Sequence, residues 1–304
     1  MDECIELMDS VLSDLARGRV WQPLRFVIRP PGEPTLMGLM PAHRSEPRPA
    51  YGLKAICIFP ENPARGLDAH QGGVFLFDGE TGEPRGLLDG SAVTAVRTAA
   101  VSAVATRALA REDAKDLAIL GAGVQARSHL EALPHVRSFE RVRIWSRTPE
   151  HAQEVAKEAR LEVEVAESAE AAVNGADVIV TATTSHEPVL ERAWLATGAH
   201  VNAVGSSIPT ARELDDKTMA EAALFCDARE SLVNEAGDYL LAGLGEESIR
   251  AELGEVLAGS AEGRRDPEEL TVFKSLGLGV EDLAAAEHVY ERARAEGVGS
   301  AVPF

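Results

Sequence analysis

Gly121, Gly123 and Ala126 stand at the spacing G-x-G-x-x-A, directly behind the short apolar run Leu117 to Leu120. Residues of that size in that order suit a pyrophosphate. The first glycine permits a tight turn, the second lets a phosphate approach the backbone, and the small Ala126 lets the following helix pack close to the strand. The open N–H groups and positive dipole end of that helix then receive the phosphates. Glycine turns also join strands to helices in proteins that bind nothing, so the flanking chain decides. Helix 124 to 133 stops before Pro134, and the run Val142 to Trp145 closes a βαβ unit of about the 30 residues such a site requires. The spacing predicts a dinucleotide site.

Charged residues in apolar surroundings come next. Lys54 is one of only five lysines and sits in the apolar run Tyr51-Gly-Leu-Lys-Ala-Ile-Cys-Ile-Phe59. A buried ammonium without a partner is costly, so Lys54 either snorkels to a sheet edge or meets an anion, and the residues alone leave both open. Arg97 lies in Ser91 to Ala110, which is small and apolar nearly all round. A guanidinium keeps its proton, so Arg97 needs a carboxylate, from the protein or from a ligand.

Behind the second strand, Ser146-Arg147-Thr148 lacks the Asp or Glu that holds the ribose hydroxyls in NAD-preferring sites. Arg147 is placed instead to bind a 2′-phosphate, with the two hydroxyls as further donors. Thr148 and Pro149 also read as the N-cap and first position of the next helix. The expected cofactor-binding set is Gly121, Gly123, Val124, Gln125, Ala126, Ser146, Arg147 and Thr148, joined by Thr181, Ala182, Val204 and Ser206 at the ends of later strands. NADP(H) is the expected cofactor, with NAD the alternative.

The elements that must position these residues follow from periodicity. Residues 1 to 17 have helical apolar spacing. Short runs broken by Pro and Gly, at Trp21 to Ile28, Thr35 to Met40, Tyr51 to Phe59, Gly73 to Phe77 and Gly86 to Leu88, predict an antiparallel sheet. Ala42 to Pro49 and Glu61 to Gln71 read as loops, and His70 as a solvated loop residue outside the catalytic set. Beyond Trp145, helices at Pro149 to Ala159, Ala169 to Val173, Glu213 to Glu221 and Arg229 to Leu241 alternate with strands. Those strands are Leu161 to Val165, Val178 to Ala182, His200 to Val204, Leu224 to Asp227 and Thr271 to Lys274. Such alternation means a parallel sheet. A final helix from Glu281 to Ala295 and a tail from Gly297 to Phe304 complete the chain. The fold class is α/β, a Rossmann domain (residues 114–280) inserted in an α+β substrate and dimerisation domain (residues 1–113 plus 281–304).

The totals bound the function. The 304 residues allow two cored domains, and 45% hydrophobic with 26% charged residues describe an ordinary globular chain. A net charge of −19 argues against nucleic acid, whose binding needs clustered Lys and Arg. No apolar run approaches membrane length, and the acidic N-terminus is unlike a signal peptide, so a cytoplasmic location is expected and no membrane partner. Cys4, Cys57 and Cys226 have neither disulfide nor metal spacing, so no metal site is expected.

Four blocks carry more than a generic dinucleotide signal. They are Asp89-Gly-Ser-Ala-Val-Thr-Ala-Val-Arg-Thr-Ala-Ala, Gly121-Ala-Gly-Val-Gln-Ala, Val201-Asn-Ala-Val-Gly-Ser-Ser-Ile-Pro-Thr-Ala-Arg-Glu-Leu-Asp and Phe273-Lys-Ser-Leu-Gly. In that order, from Gln22 to about Tyr290, they resemble the ornithine cyclodeaminase and mu-crystallin family. Gln22-Pro-Leu-Arg25, Met40-Pro-Ala and Arg212-Glu-Leu-Asp-Asp216 look most like its mu-crystallin (ketimine reductase) branch.

The resemblance implies a homodimer whose N-terminal sheet, completed by the C-terminal helix, both dimerises and closes over the nicotinamide. It aligns Lys54 with the family's substrate-pocket lysine and places Arg25 beside the substrate carboxylate. Lys54 and Arg97 are then the expected catalytic residues, and Arg25, Lys54 and Arg97 the substrate-binding ones, for a small anionic imino or amino acid. One departure matters. Members that cyclise ornithine, and related alanine dehydrogenases, typically carry an Asp two residues after the glycine numbered 205 here, whereas this chain has Ser206-Ser207. A hydroxyl cannot exchange protons near neutral pH as a carboxylate can. Reduction of a preformed imine is therefore the expected reaction, with ornithine cyclodeaminase or alanine dehydrogenase as the second reading and a non-catalytic crystallin-like dimer as the third.

Overall fold

A computed structural model describes residues 1–302; Pro303 and Phe304, the end of the expected tail, lie outside the described residues, as does the side chain of Pro63. In chain order, α1 (Asp2–Ala16) precedes β1 (Val20–Trp21), β2 (Phe26–Ile28), β3 (Leu36–Arg44) and β4 (Ala50–Ile58). Then come β5 (His70–Asp78), β6 (Pro84–Asp89), α2 (Gly90–Leu109), β7 (Asp116–Leu120), α3 (Val124–Ala132) and β8 (Arg141–Trp145). The middle continues with α4 (Pro149–Glu158), β9 (Glu164–Val165), α5 (Ala169–Val173), β10 (Val178–Thr181) and β11 (His200–Ala203). The last third holds α6 (Asp216–Glu221), β12 (Ala223–Cys226), α7 (Arg229–Glu235), α8 (Gly237–Leu241), β13 (Ile249–Glu252), α9 (Leu253–Leu257), β14 (Thr271–Lys274) and α10 (Gly279–Glu296).

Two compact units emerge, Met1–Asp9 with Thr98–Leu276, and Ser10–Arg97 with Gly277 onward. In the smaller one, β1-β3-β4-β5-β6 form an antiparallel sheet, with β2 also on β3. Register puts Trp21, Phe26, Ile28, Met37, Tyr51, Phe75 and Leu87 on one face, and Trp21 and Leu87 are each 63% exposed. Met40, Ala42, Ala50, Lys54, Ile56, Val74 and Leu76 share the opposite face, buried where α10 packs on β3, β4 and β5. The period of two thus aims Lys54 at a helix rather than at a sheet edge.

In the larger unit, eight parallel strands run in the order β13-β12-β14-β11-β10-β7-β8-β9. The doubly wound pattern reverses direction between β7 and β10, and ligands bind such sheets at the carboxyl ends of the strands there. Strands β10, β11, β12 and β14 are buried at every residue, as parallel strands covered on both faces must be.

Several expected boundaries move for local reasons. Trp21 to Ile28 is broken by Gln22-Pro23-Leu24-Arg25, where Pro23 has no N–H for a ladder. Strand β3 runs through Arg44 into the expected loop, and β5 begins at His70, so His70 and Gln71 are strand residues. The expected helix 213–221 begins only at Asp216, capped by Asp215 accepting from the Thr218 N–H at 2.9 Å, which leaves Glu213 free of helical geometry. The helix from Arg229 breaks at Ala236 (ψ 104°), where the Gly237 backbone packs against the Ala211 and Ile208 carbonyls. Strand β13 has no counterpart in the sequence reading. Among the described residues no helix is long and apolar enough to cross a membrane.

Two histidines are fully buried in the larger unit, His129 on α3 and His200 on β11. His129 Nδ1 bonds the Gln125 carbonyl at 2.7 Å and so carries the proton, which leaves Nε2 to accept from the Ser102 hydroxyl at 2.8 Å. Burial depresses its pKa to about 4 and that of His200 to about 3. Both are neutral in the fold and charge in the unfolded chain below about pH 6.5, so stability is intact above that pH and falls as pH drops toward 4. For His129 alone the loss amounts to about 3 kcal/mol. Thermal unfolding between pH 7.5 and 4.5 is expected to show this decline, and His129→Gln to flatten it; an unchanged slope in the variant rules His129 out as its source.

Candidate functional site

Gly121 leaves β7 with φ +124°, a value that L side chains rarely adopt, and a Cβ there would run into the Ala182 carbonyl. Its N–H donates to the Trp145 carbonyl at 2.8 Å, which ties the glycine turn to the end of β8. Gly123 is the N-cap of α3, no side chain caps that helix, and a Cβ at Gly123 would meet nothing within 4 Å. The space beside Gly123, at the uncapped start of α3, is thus clear, which suits a pyrophosphate. Val124 is exposed, Gln125 is half-buried, and Ala126 is fully buried against the sheet. We expect Gly121→Ala to weaken cofactor binding by about fivefold to over a hundredfold, given a backbone strain of about 1–3 kcal/mol. Fluorescence titration with NADPH reads this, and wild-type affinity in the variant would remove the turn from the site.

Arg147 is exposed behind β8 and makes no ion pair among the described residues. Thr148 occupies the N-cap position of α4 ahead of Pro149, but its side chain makes no capping bond; its backbone N–H instead donates to the Ser146 hydroxyl at 3.4 Å. Ala182 and Val204 are half-buried at the ends of β10 and β11. Thr181 and Ser206 lie deeper. Both are buried, with the Thr181 hydroxyl donated to Glu213 and the Ser206 hydroxyl to the Ala211 carbonyl, so neither points a free donor outward.

Glu213 is the residue that the sequence reading undervalues. Its Oε1 accepts from Thr183 N–H at 2.7 Å and Thr183 Oγ1 at 2.8 Å, and its Oε2 from Gly205 N–H at 2.7 Å and Thr181 Oγ1 at 2.9 Å. One carboxylate thus clamps the segments that follow β10 and β11. Asp238 accepts from the Glu213 and Leu214 N–H groups and pairs with Lys274 at 2.9 Å, all of it fully buried. Burial pushes the Glu213 pKa up, and Lys274 opposes the rise. With both oxygens engaged, Glu213 is poorly placed to exchange protons with a substrate. Asp227 is in the same position, accepting from Ala228 N–H and from Leu276 N–H at 2.6 Å. The only signal for Glu213 and Lys274 in the sequence was their presence in the Arg212-Glu-Leu-Asp and Phe273-Lys-Ser blocks.

The three expected substrate cations meet in the smaller unit. Lys54 Nζ lies 2.7 Å from Asp282 Oδ2 and 3.4 Å from the Thr94 hydroxyl. Arg97 donates from Nε to Asp282 Oδ1 at 3.0 Å and from Nη1 to Glu281 Oε2 at 2.8 Å. Two of the Arg97 nitrogens are therefore already bonded to carboxylates of the protein. Arg25 Nη2 donates to the Gly277 carbonyl at 2.9 Å. Gly277 has φ +78°, and a Cβ on it would stand 2.8 Å from the Arg97 guanidinium nitrogens, so no larger residue fits between the arginines.

Burial, with Arg97 and Arg25 nearby, lowers the Lys54 pKa to about 8 although Asp282 pulls it upward. Arg97 and Lys54 hold Asp282 below the ordinary carboxylate range against its burial. His70 reaches the surface, yet partial burial and the Lys54 charge depress its pKa, which places its ring within the field of this cluster. Glu281 and Asp282 were expected only as the start of a helix. Nothing in their local sequence marks them as partners of residues 184 and 185 positions away.

Residues 1–297 match the ornithine cyclodeaminase/mu-crystallin family. Ketimine reductase mu-crystallin of Mus musculus is 43% identical over 287 residues, 93% of this chain and 90% of that protein. The Thermococcus litoralis Δ1-pyrroline-2-carboxylate reductase, solved in complex with NADH and L-proline, superposes with a TM-score of 0.96 at 37% identity, covering 99% of this chain and 96% of that one. An archaeal alanine dehydrogenase dimer with bound NAD gives a TM-score of 0.94 at 32% identity, covering 100% and 95%.

Proposed function

This chain belongs to the ornithine cyclodeaminase/mu-crystallin family, and from that premise we propose that it is an NADPH-dependent reductase of a small or cyclic α-imino acid. It is an oxidoreductase of C=N and CH–NH bonds that uses a nicotinamide dinucleotide. One observation carries the finer reading. Lys54, Arg97 and Arg25 set three positive charges against the two negative charges of Glu281 and Asp282, so the cluster keeps one positive charge for one carboxylate. A lysine whose pKa is about 8 completes it, because that group both holds and releases a proton near neutral pH.

When bound, the dinucleotide supplies the hydride. The chain supplies the rest: Arg25 and Arg97 orient the substrate carboxylate, and Lys54 delivers its Nζ proton to the imine nitrogen. Hydride to carbon and proton to nitrogen together convert C=N to CH–NH, and neutral Lys54 is reprotonated from solvent. The glycine turn, Val124, Gln125 and the Ser146-Arg147-Thr148 segment hold the cofactor, and the unpaired Arg147 favours a 2′-phosphate. Thr181, the last residue of β10, and Ser206 brace the segments beside it through Glu213 and the Ala211 carbonyl.

The apolar face that carries Trp21, Phe26, Tyr51, Phe75 and Leu87 supports a homodimer, since large apolar side chains exposed together on one sheet face mark a protein contact and the archaeal alanine dehydrogenase is itself a dimer. Ser206 and Ser207, with Glu213 and Asp227 both occupied, speak against cyclodeamination, which needs a carboxylate at the reacting nitrogen for several proton transfers. The expected result is oxidation of NADPH with pyrroline-2-carboxylate or piperideine-2-carboxylate, and little proline or ammonia from ornithine with NAD. Robust proline formation from ornithine overturns the reading.

A further inference from the structure

We propose that Asp282 is a positioning residue whose carboxylate holds the Lys54 ammonium charged and aimed through one oxygen while its other oxygen fixes Arg97. The proposal deepens the imine-reductase reading and rests on it for the meaning of the Lys54 proton. The geometry is specific. Asp282 is 1% exposed in the first turn of α10, with Oδ2 at 2.7 Å from Lys54 Nζ and Oδ1 at 3.0 Å from Arg97 Nε. A carboxylate shared in this way sets the separation of the two cations. It also leaves the ammonium two further N–H donors, of which the Thr94 hydroxyl at 3.4 Å draws one.

The need for Asp282 follows from what else faces Lys54. Arg97 stands beside it on α2, Arg25 in the segment behind β1, and the His70 ring at the start of β5; Glu281 on α10 is bonded to Arg97. Burial and both arginines discharge an amine, and a histidine, neutral or cationic, supplies no negative charge to oppose them. Asp282 is the anion in direct contact with Lys54. Without it the ammonium would lose its proton near neutral pH and Lys54 could not serve as a donor. Burial alone commonly moves a lysine by several units, and an adjacent carboxylate restores one to three of them.

The five lysines make a direct test practical. In protein labelled with [ε-¹³C]lysine, Lys54 is the signal lost in Lys54→Arg, and in wild type it is expected to titrate near pH 8. Asp282→Asn should move that titration down by one unit or more, and should carry the basic limb of the imine-reduction profile with it. Glu281→Gln, which touches Arg97 but not Lys54, should leave the Lys54 signal within about 0.3 unit. Equal shifts in both variants, or none in Asp282→Asn, overturn the proposal.

The spectrum reads Lys54 whether or not imines are reduced, so a shifted signal in an enzyme inactive on imines sinks the functional reading alone. If Asp282→Asn does not fold, the melting temperature of Asp282→Asn with Lys54→Met decides. Recovery by the second substitution supports the pairing, and no recovery makes Asp282 a fold residue and overturns its positioning role.

Discussion

Lys54→Met lowers the turnover of a cyclic imino acid by about 10²- to 10⁴-fold, the usual contribution of a positioned proton donor, while NADPH affinity stays within about twofold of wild type. Methionine keeps most of the length and apolar body of the side chain and removes only the ammonium. Asp282 retains its bond to Arg97 at 3.0 Å, so the variant is not left with an isolated buried charge. The pH dependence gives a second readout. A lysine with a pKa of about 8 is charged below that value and neutral above it, so wild-type turnover should fall as pH rises through 8. In Lys54→Met that limb should vanish, leaving a low and flat profile. Near wild-type turnover in the variant, or no basic limb in the native enzyme, would mean that Lys54 is a structural cation and that the proton comes from elsewhere.

Arg147→Asp reverses the cofactor preference. Wild type is expected to bind NADPH more tightly than NADH by about tenfold to over a hundredfold, because a guanidinium bonded to a phosphate contributes about 1.5–3 kcal/mol. The structure leaves Arg147 exposed and without an ion pair among the described residues, so nothing must be broken before it meets a phosphate. Aspartate at the same place repels the 2′-phosphate and accepts from the ribose hydroxyls, which moves both affinities in opposite directions. Because the contact is exposed, the preference should weaken with added salt. Competitive titration of both cofactors against wild type and variant measures it. Equal wild-type affinities would show that Arg147 is only a solvated residue ahead of α4.

The parts of the site that were legible in the sequence are those that act over a few residues. The G-x-G-x-x-A turn is one, because a positive φ at Gly121 and the close packing of Ala126 constrain residue size at fixed spacing. The βαβ alternation is another, since apolar runs of β7 and β10 reveal burial on both faces without any knowledge of strand order. Element ends were less legible. Pro23, the Asp215 cap and the packing of Gly237 each moved a boundary by a few residues, and the last depends on a carbonyl of another segment.

Lys54 and Arg97 show where local reading stops. Their apolar surroundings require an anion for Arg97 and leave one open for Lys54, yet the sequence contains 49 acidic residues, and no local rule chooses among them. Only the packing of α10 on the buried face of the antiparallel sheet brings Asp282 and Glu281 to these cations. Glu213 is the same case in the parallel sheet. By itself the sequence determined which residues could not be left alone: glycines that must turn, apolar runs that must be covered, and charges that must be paired. Tertiary structure decided which group meets each requirement, because pairing energy depends on distance in space, and chain separation carries almost no information about that distance once the strands have been ordered.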